Sequence, residues 1–313
     1  KDLSEEDLNN PGKIAEARID YSHGTHVSGT IAAMFNNDKV GVDGVMPKAN
    51  LYGASIVGKN KNPDDKSNPY IFCLKWLLEN DCKVINVSYG KGTLPYEATS
   101  YDDNIAKAAR AEIKEESDHI ALMLKNVKKD FVLVKSAGNY NNGHNKDDIQ
   151  AVEAKYDVIS LIENDHKEGD SVKKDYFKDV VDRIIVVGSI GMNGDKFTVS
   201  DFSNYGERVD VVAPGELIYS TTYKKEGSKY VSDYDFMSGT SMAAPHVSGI
   251  AASLFGLDPN LTGAEVKQII CETATINCQY EDNKFNTKDY KLVDAGAAAK
   301  RVLGDVSSLI EFK

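Results

Sequence analysis

Cysteine is scarce: four in 313 residues, Cys73, Cys82, Cys271 and Cys278. Their spacing fits no zinc-ligand pattern, and they are too few for a disulfide scaffold. Cys73 with Cys82 and Cys271 with Cys278 are near enough in sequence to bridge, and four separate thiols is the other reading. Positive charge is short as well. Lys+Arg total 37 against 48 Asp+Glu, a formal net charge of −11. That deficit excludes a sequence-independent grip on nucleic acid, which needs a basic face to release counterions. It also excludes adhesion to an anionic membrane surface. Long apolar runs are missing too: stretches such as Ile184-Ile185-Val186-Val187 fall far short of the ~18 residues a membrane span needs. No internal repeat, no low-complexity tract and no charged-then-apolar leader is present, and the sequence opens on Lys1. A removed leader or a start inside a longer protein is the expectation.

What is present is a folded chain. Hydrophobic residues make up 41%, enough for a sizeable core. Apolar runs rich in Val and Ile predict strands over 50–57, 83–89, 131–136, 183–190 and 209–213. Their nearly continuous apolar character favours a parallel sheet buried on both faces. Helical patterns lie between them over 23–35, 70–79, 101–128, 241–255, 263–273 and 295–303. That alternation predicts an α/β fold with a doubly wound, mostly parallel sheet and helices on both faces. One domain over 1–304 is expected, followed by a tail over 305–313. Two polar stretches, 59–68 and 140–181, read as surface insertions, the second placed where a loop could shape a substrate cleft.

Three segments carry residues suited to chemistry. Ser238-Gly239-Thr240-Ser241-Met242-Ala243-Ala244-Pro245-His246 sets a serine at the start of a helical run. There, unpaired amides and the dipole favour negative charge, although an ordinary N-cap serine also sits in such a place. Pro245 is expected near the first helical turn. In His23-Gly24-Thr25-His26-Val27-Ser28-Gly29, His23 opens a helix on which Val27, Ile31 and Met34 share a face. Gly29 and Ala33 permit close packing, and His26 reads as a hydrogen-bonded core residue. No acidic residue follows in the pattern of a metalloprotease helix. In Ser136-Ala137-Gly138-Asn139, an asparagine stands just past a buried strand. It is a turn former or a donor aimed at an oxyanion.

Together and in this order, the three segments resemble the histidine, oxyanion and serine blocks of the subtilisin-like serine proteases, the subtilase family. Asn86-Val87-Ser88-Tyr89-Gly90, Asp201-Phe202-Ser203-Asn204-Tyr205-Gly206 and Val211-Val212-Ala213-Pro214-Gly215 add to the resemblance, which runs to about Leu303. It implies a serine endopeptidase working through an acyl-enzyme. Ser241 would be the nucleophile, His23 the general base, and Asn139 the oxyanion donor beside the Ser241 N–H. It also implies that Ser88, Tyr89 and Gly90, with Ser136, Ala137 and Gly138, bracket an extended polypeptide substrate as added strands.

The family's chain order is Asp, His, Ser, and no aspartate block of its kind stands between Lys1 and His23. The resemblance therefore implies a first strand and a triad aspartate carried by an upstream or separate segment, with a propeptide a further partner. A catalytically silent subtilase-like domain that binds peptides or proteins is the alternative. A non-peptide hydrolase would want a Gly-x-Ser-x-Gly elbow, which is missing. The chemistry requires no cofactor. The resemblance also implies a structural calcium near Asp2 and Asp38, and a secreted or cell-surface protein.

Overall fold

A computed structural model describes residues 11–35, 41–55, 69–90, 104–139, 154, 157–169, 171–227, 229–280 and 289–304, giving only the backbone of 11–21, 69, 105–106, 109–110, 225 and 280. In chain order its elements are α1 (Pro11–Ala32), α2 (Pro69–Glu79), β1 (Val84–Val87), α3 (Asn104–Asn126), β2 (Val132–Ser136), β3 (His166–Glu168), β4 (Ser171–Lys173), α4 (Lys178–Val181), β5 (Ile184–Asn193) and β6 (Lys196–Val199). They continue with β7 (Val211–Pro214), β8 (Ile218–Glu226), β9 (Lys229–Met237), α5 (Thr240–Leu257), α6 (Gly263–Thr273), β10 (Ile276–Tyr280), β11 (Tyr290–Leu292) and α7 (Ala295–Leu303).

The four apolar runs β1, β2, β5 and β7 lie side by side in parallel, with Ile85 opposite Leu133, Leu133 opposite Ile184 and Val187 opposite Val211. Successive residues of a strand point to opposite faces, and the core divides accordingly. Leu133, Ile184, Val186 and Val212 pack with Leu74, Leu78, Ile120 and Leu124 on one face. Val132, Val134, Ile185 and Val187 pack with Ala243, Val247, Val266 and Ile270 on the other. Both faces are thus covered by helices. Antiparallel pieces that the apolar runs did not announce complete the sheet: β6 turns back on β5, and β10 pairs with β11. A second hairpin, β8 on β9, stands apart as its own two-stranded sheet.

Four expectations change. The backbone over 50–55 forms no strand, and 56–57 fall outside the described residues. Residues 49–54 line one side of a cavity of about 730 Å³ whose other walls include Val84 to Tyr89. Among the described residues the run therefore has no neighbouring strand with which to form a ladder, and a strand without a partner leaves its amides unpaired. Among the described strands β1 is accordingly the edge of the sheet. The helix bearing His23 begins at Pro11 and ends at Ala32, so Met34 lies beyond it and is 66% exposed instead of sharing its buried face. Pro245 sits in the second turn of α5, not the first. Finally, the 140–181 stretch is no solvated excursion where it is described: Val158, Ile159, Phe177 and Val180 are buried in the first core. Their apolar side chains are irregularly spaced among charges, so no periodicity marks them as core. The 59–68 insertion and the 305–313 tail lie outside the described residues.

Candidate active site

α5 starts at Thr240 after Gly239, whose φ of 156° and ψ of 160° fall in a region that only glycine occupies freely. Ser241 follows in the first turn. Its hydroxyl donates to the Ser88 carbonyl at 3.0 Å, and the Ser88 hydroxyl donates to the Ser241 carbonyl at 2.8 Å. The second bond has a cause in the sequence. A proline at 245 has no N–H to give the carbonyl four residues back, so Ser88 supplies the donor that the helix cannot.

Asn139 is fixed with equal economy. Its Oδ1 accepts from the Thr240 backbone N–H and from the Thr240 hydroxyl, each at 2.8 Å. A backbone N–H can only donate, so the amide oxygen must face it and the NH₂ group must point the other way. That group lies toward Gly239, where a Cβ would fall 3.1 Å from Nδ2. Thr240 also accepts from the Gly138 N–H at 3.1 Å, and the Gly138 carbonyl accepts from Asn204 N at 2.9 Å. Thr240 is thus the clamp that orients Asn139. Sequence reasoning missed it, because a threonine beside a serine in a helix start carries no signal of its own.

His23 lies on α1, half-buried, and lines the 730 Å³ cavity together with Ser88. The helix is fastened to the hairpin by hydroxyls: Ser220 donates to the His26 carbonyl and Thr221 to the Thr25 carbonyl, each at 2.8 Å. Ser22 and Thr222 join their hydroxyls at 2.7 Å. Gly29 makes this approach possible, since a Cβ there would meet Thr221 Oγ1 at 2.2 Å. His26 is the packed residue expected: fully buried, with Nε2 at 2.9 Å from the Ile218 carbonyl and 3.2 Å from that of Asp235. Burial holds its pKa below the usual imidazole range.

Of the residues expected to bracket a substrate, Ser136 and Ala137 are buried at the end of β2 and Gly138 is held by Thr240 and Asn204. Ser88 touches Ser241, Tyr89 is 52% exposed beside the Tyr70 ring, and Gly90 packs on Asp157. Asp2 and Asp38 lie outside the described residues. Among the described residues no group of three or more His, Cys, Asp or Glu could hold a metal ion. All four cysteines are free thiols.

A model of the subtilase family (peptidase S8) matches residues 2–298; the chain belongs to that family. It is 29% identical over 254 residues to subtilisin DY of Bacillus licheniformis, covering 81% of this chain and 70% of that protein. It is 28% identical over 309 residues to an extracellular basic protease of Dichelobacter nodosus, covering 94% of this chain and 42% of that one. Among solved structures it resembles fervidolysin from Fervidobacterium pennivorans, a keratinolytic enzyme related to subtilisin. There the TM-score is 0.56 at 26% identity, over 89% of this chain and 36% of that one. The chain spans about half, 52%, of the length of several further curated relatives.

Proposed function

We propose that the protein is a serine endopeptidase. The observation that carries this reading is the orientation of Asn139: Thr240 holds its oxygen, leaving the NH₂ group as a donor at the helix start that bears Ser241. An oxyanion forming on a carbonyl attacked by Ser241 would meet that group and the Ser241 N–H. In the reaction, Ser241 Oγ gives up its proton to His23 as it bonds to the carbonyl carbon. His23 then passes the proton to the leaving amine, and water releases the acyl group by the same route in reverse. Ser88–Gly90 and Ser136–Gly138 would flank the polypeptide as neighbouring strands.

The acidic partner of His23 is assigned here to a strand delivered by an upstream or separate segment. What supports this is the cavity beside β1. It lies along β1, the edge among the described strands, and is lined by Leu74, Val84, Ile85 and Val87 together with His23. A strand seated there would pair with the edge that β1 presents among the described strands and end near the imidazole. Structural calcium, a propeptide and secretion complete the proposal; the Dichelobacter nodosus relative is described as extracellular, and no described helix is long and apolar enough to cross a membrane.

One observation favours the alternative of a silent binding domain: the Ser241 hydroxyl donates its single proton to the Ser88 carbonyl. A fluorophosphonate probe decides between them. With the complete reading frame expressed, labelling that vanishes in Ser241→Ala supports the enzyme, and failure of the intact protein to label rules it out.

A further inference from the structure

Lys135 is a cation inside an apolar strand. It occupies β2 between Val134 and Ser136, and its side chain is 1% exposed. Strand alternation sends it to the same face as Leu133 and Ala137. There its ammonium donates to the Ser136 carbonyl at 2.5 Å and lies 3.3 Å from the Ser136 hydroxyl and 3.5 Å from Asp157 Oδ1. An ammonium has three protons, and these three partners use them. Asp157, 8% exposed in its side chain, also accepts from Ile159 N at 3.0 Å. Its Oδ2 faces Gly90: a Cβ on that glycine would fall 2.4 Å from Oδ2 and 3.3 Å from the Lys135 nitrogen. The Ser136 hydroxyl reaches the Val87 carbonyl at 3.4 Å.

The pair is therefore wedged between Gly90 and Ser136, one from each of the two segments read above as flanking the substrate. A buried ion pair is weak evidence for stability, because desolvating two charges offsets most of their attraction. Its position suggests another use. We propose that Lys135 and Asp157 form the floor of the primary side-chain pocket and set its preference for uncharged residues. This inference rests on the protease reading. Each charge is neutralised by the other and saturated by backbone, so the floor offers nothing to a substrate ammonium or carboxylate. Removing one member uncovers the other: Lys135→Met leaves an acid for Arg or Lys, and Asp157→Asn leaves a cation for Glu.

The test is kcat/KM for a peptide series differing only in the residue before the cleaved bond, Phe, Leu, Arg, Lys or Glu, with the protein made from its complete reading frame. Wild type is expected to favour Phe and Leu. Lys135→Met is expected to raise the Arg-to-Glu ratio, and Asp157→Asn to lower it, by about tenfold or more each. Should a lone buried charge prevent folding, the double variant Lys135→Met, Asp157→Leu decides. An apolar floor is expected to lower KM for Phe and Leu with little change in kcat. Folded variants with unmoved preferences overturn the floor while leaving the protease intact. A wild type that labels with fluorophosphonate yet prefers charged residues does the same. A wild type that neither labels nor cleaves overturns the protease reading and this inference with it.

Discussion

Ser88 and Ser241 are joined in both directions, hydroxyl to carbonyl each way, at 3.0 and 2.8 Å. The two bonds have different roles. The one from Ser241 gives its hydroxyl proton to a backbone oxygen; on the protease reading proposed above, that bond would have to break before the proton could pass to His23. The one from Ser88 mends the helix at Pro245.

The second role is separable by mutation. Ser88→Ala removes the donor to the Ser241 carbonyl but keeps the backbone oxygen that Ser241 uses. We expect destabilisation of about 1–2 kcal/mol, seen as a melting point lowered by roughly 2–4 °C, with fluorophosphonate labelling retained. An unchanged melting point would show that water satisfies that carbonyl equally well.

Asn139→Ala should lower kcat by roughly 10²–10³ with KM little moved, a magnitude carried over from subtilisin itself. Thr240→Val should produce a milder loss of the same kind, because the Thr240 N–H still holds Oδ1 while the hydroxyl bond is lost. Equal kcat in Asn139→Ala and wild type would remove Asn139 from the site.

Gly239→Ala is expected to be harsher than its size suggests. The φ of 156° with ψ of 160° disfavours any side chain, and the new Cβ would press on Asn139 Nδ2. Displacing that donor by an ångström costs about a hundredfold in turnover. Crystals or melting curves showing an intact fold with wild-type kcat would refute the geometry.

Acid should weaken the fold before carboxylates titrate. Burial depresses the pKa of His26 and of His246, more than the backbone carbonyls and Asp235 around them restore. The unfolded chain takes up these protons near pH 6.5 and the folded chain resists them. Their contribution is therefore complete above about 6.5 and is lost as pH falls below it toward the folded values. Thermal melts between pH 7.5 and 5 should show the decline, and His26→Gln should flatten it; a flat wild-type profile would contradict the burial of both rings.

How much of this was legible in the chain depends on the range of each interaction. The histidine, oxyanion and serine segments stand out as local patterns in the chain, although the histidine segment lies well inside α1, which begins at Pro11, and not at a helix start. The four parallel strands read from apolar runs alone. Lys135 and Asp157 did not: they are separated in sequence, and their meeting depends on how the 157–181 region folds against β2. The clue was a lysine in an otherwise apolar strand. The hairpin of β8 and β9 hid because its polar and aromatic residues show no continuous apolar run. The 50–57 run has a strand's composition without a strand's neighbour, which no composition can reveal.

The thiols bear on how labelling of Ser241 can be recognised. Burial raises the pKa of all four cysteines, and that of Cys271 to about 12 with Asp210 nearby. A sulfur so rarely ionised attacks electrophiles slowly. Iodoacetamide and maleimides should therefore spare the native molecule and mark it mainly after it unravels. Such reagents would serve as gauges of denaturation, and labelling by phosphonate chemistry could not be mistaken for alkylation of sulfur.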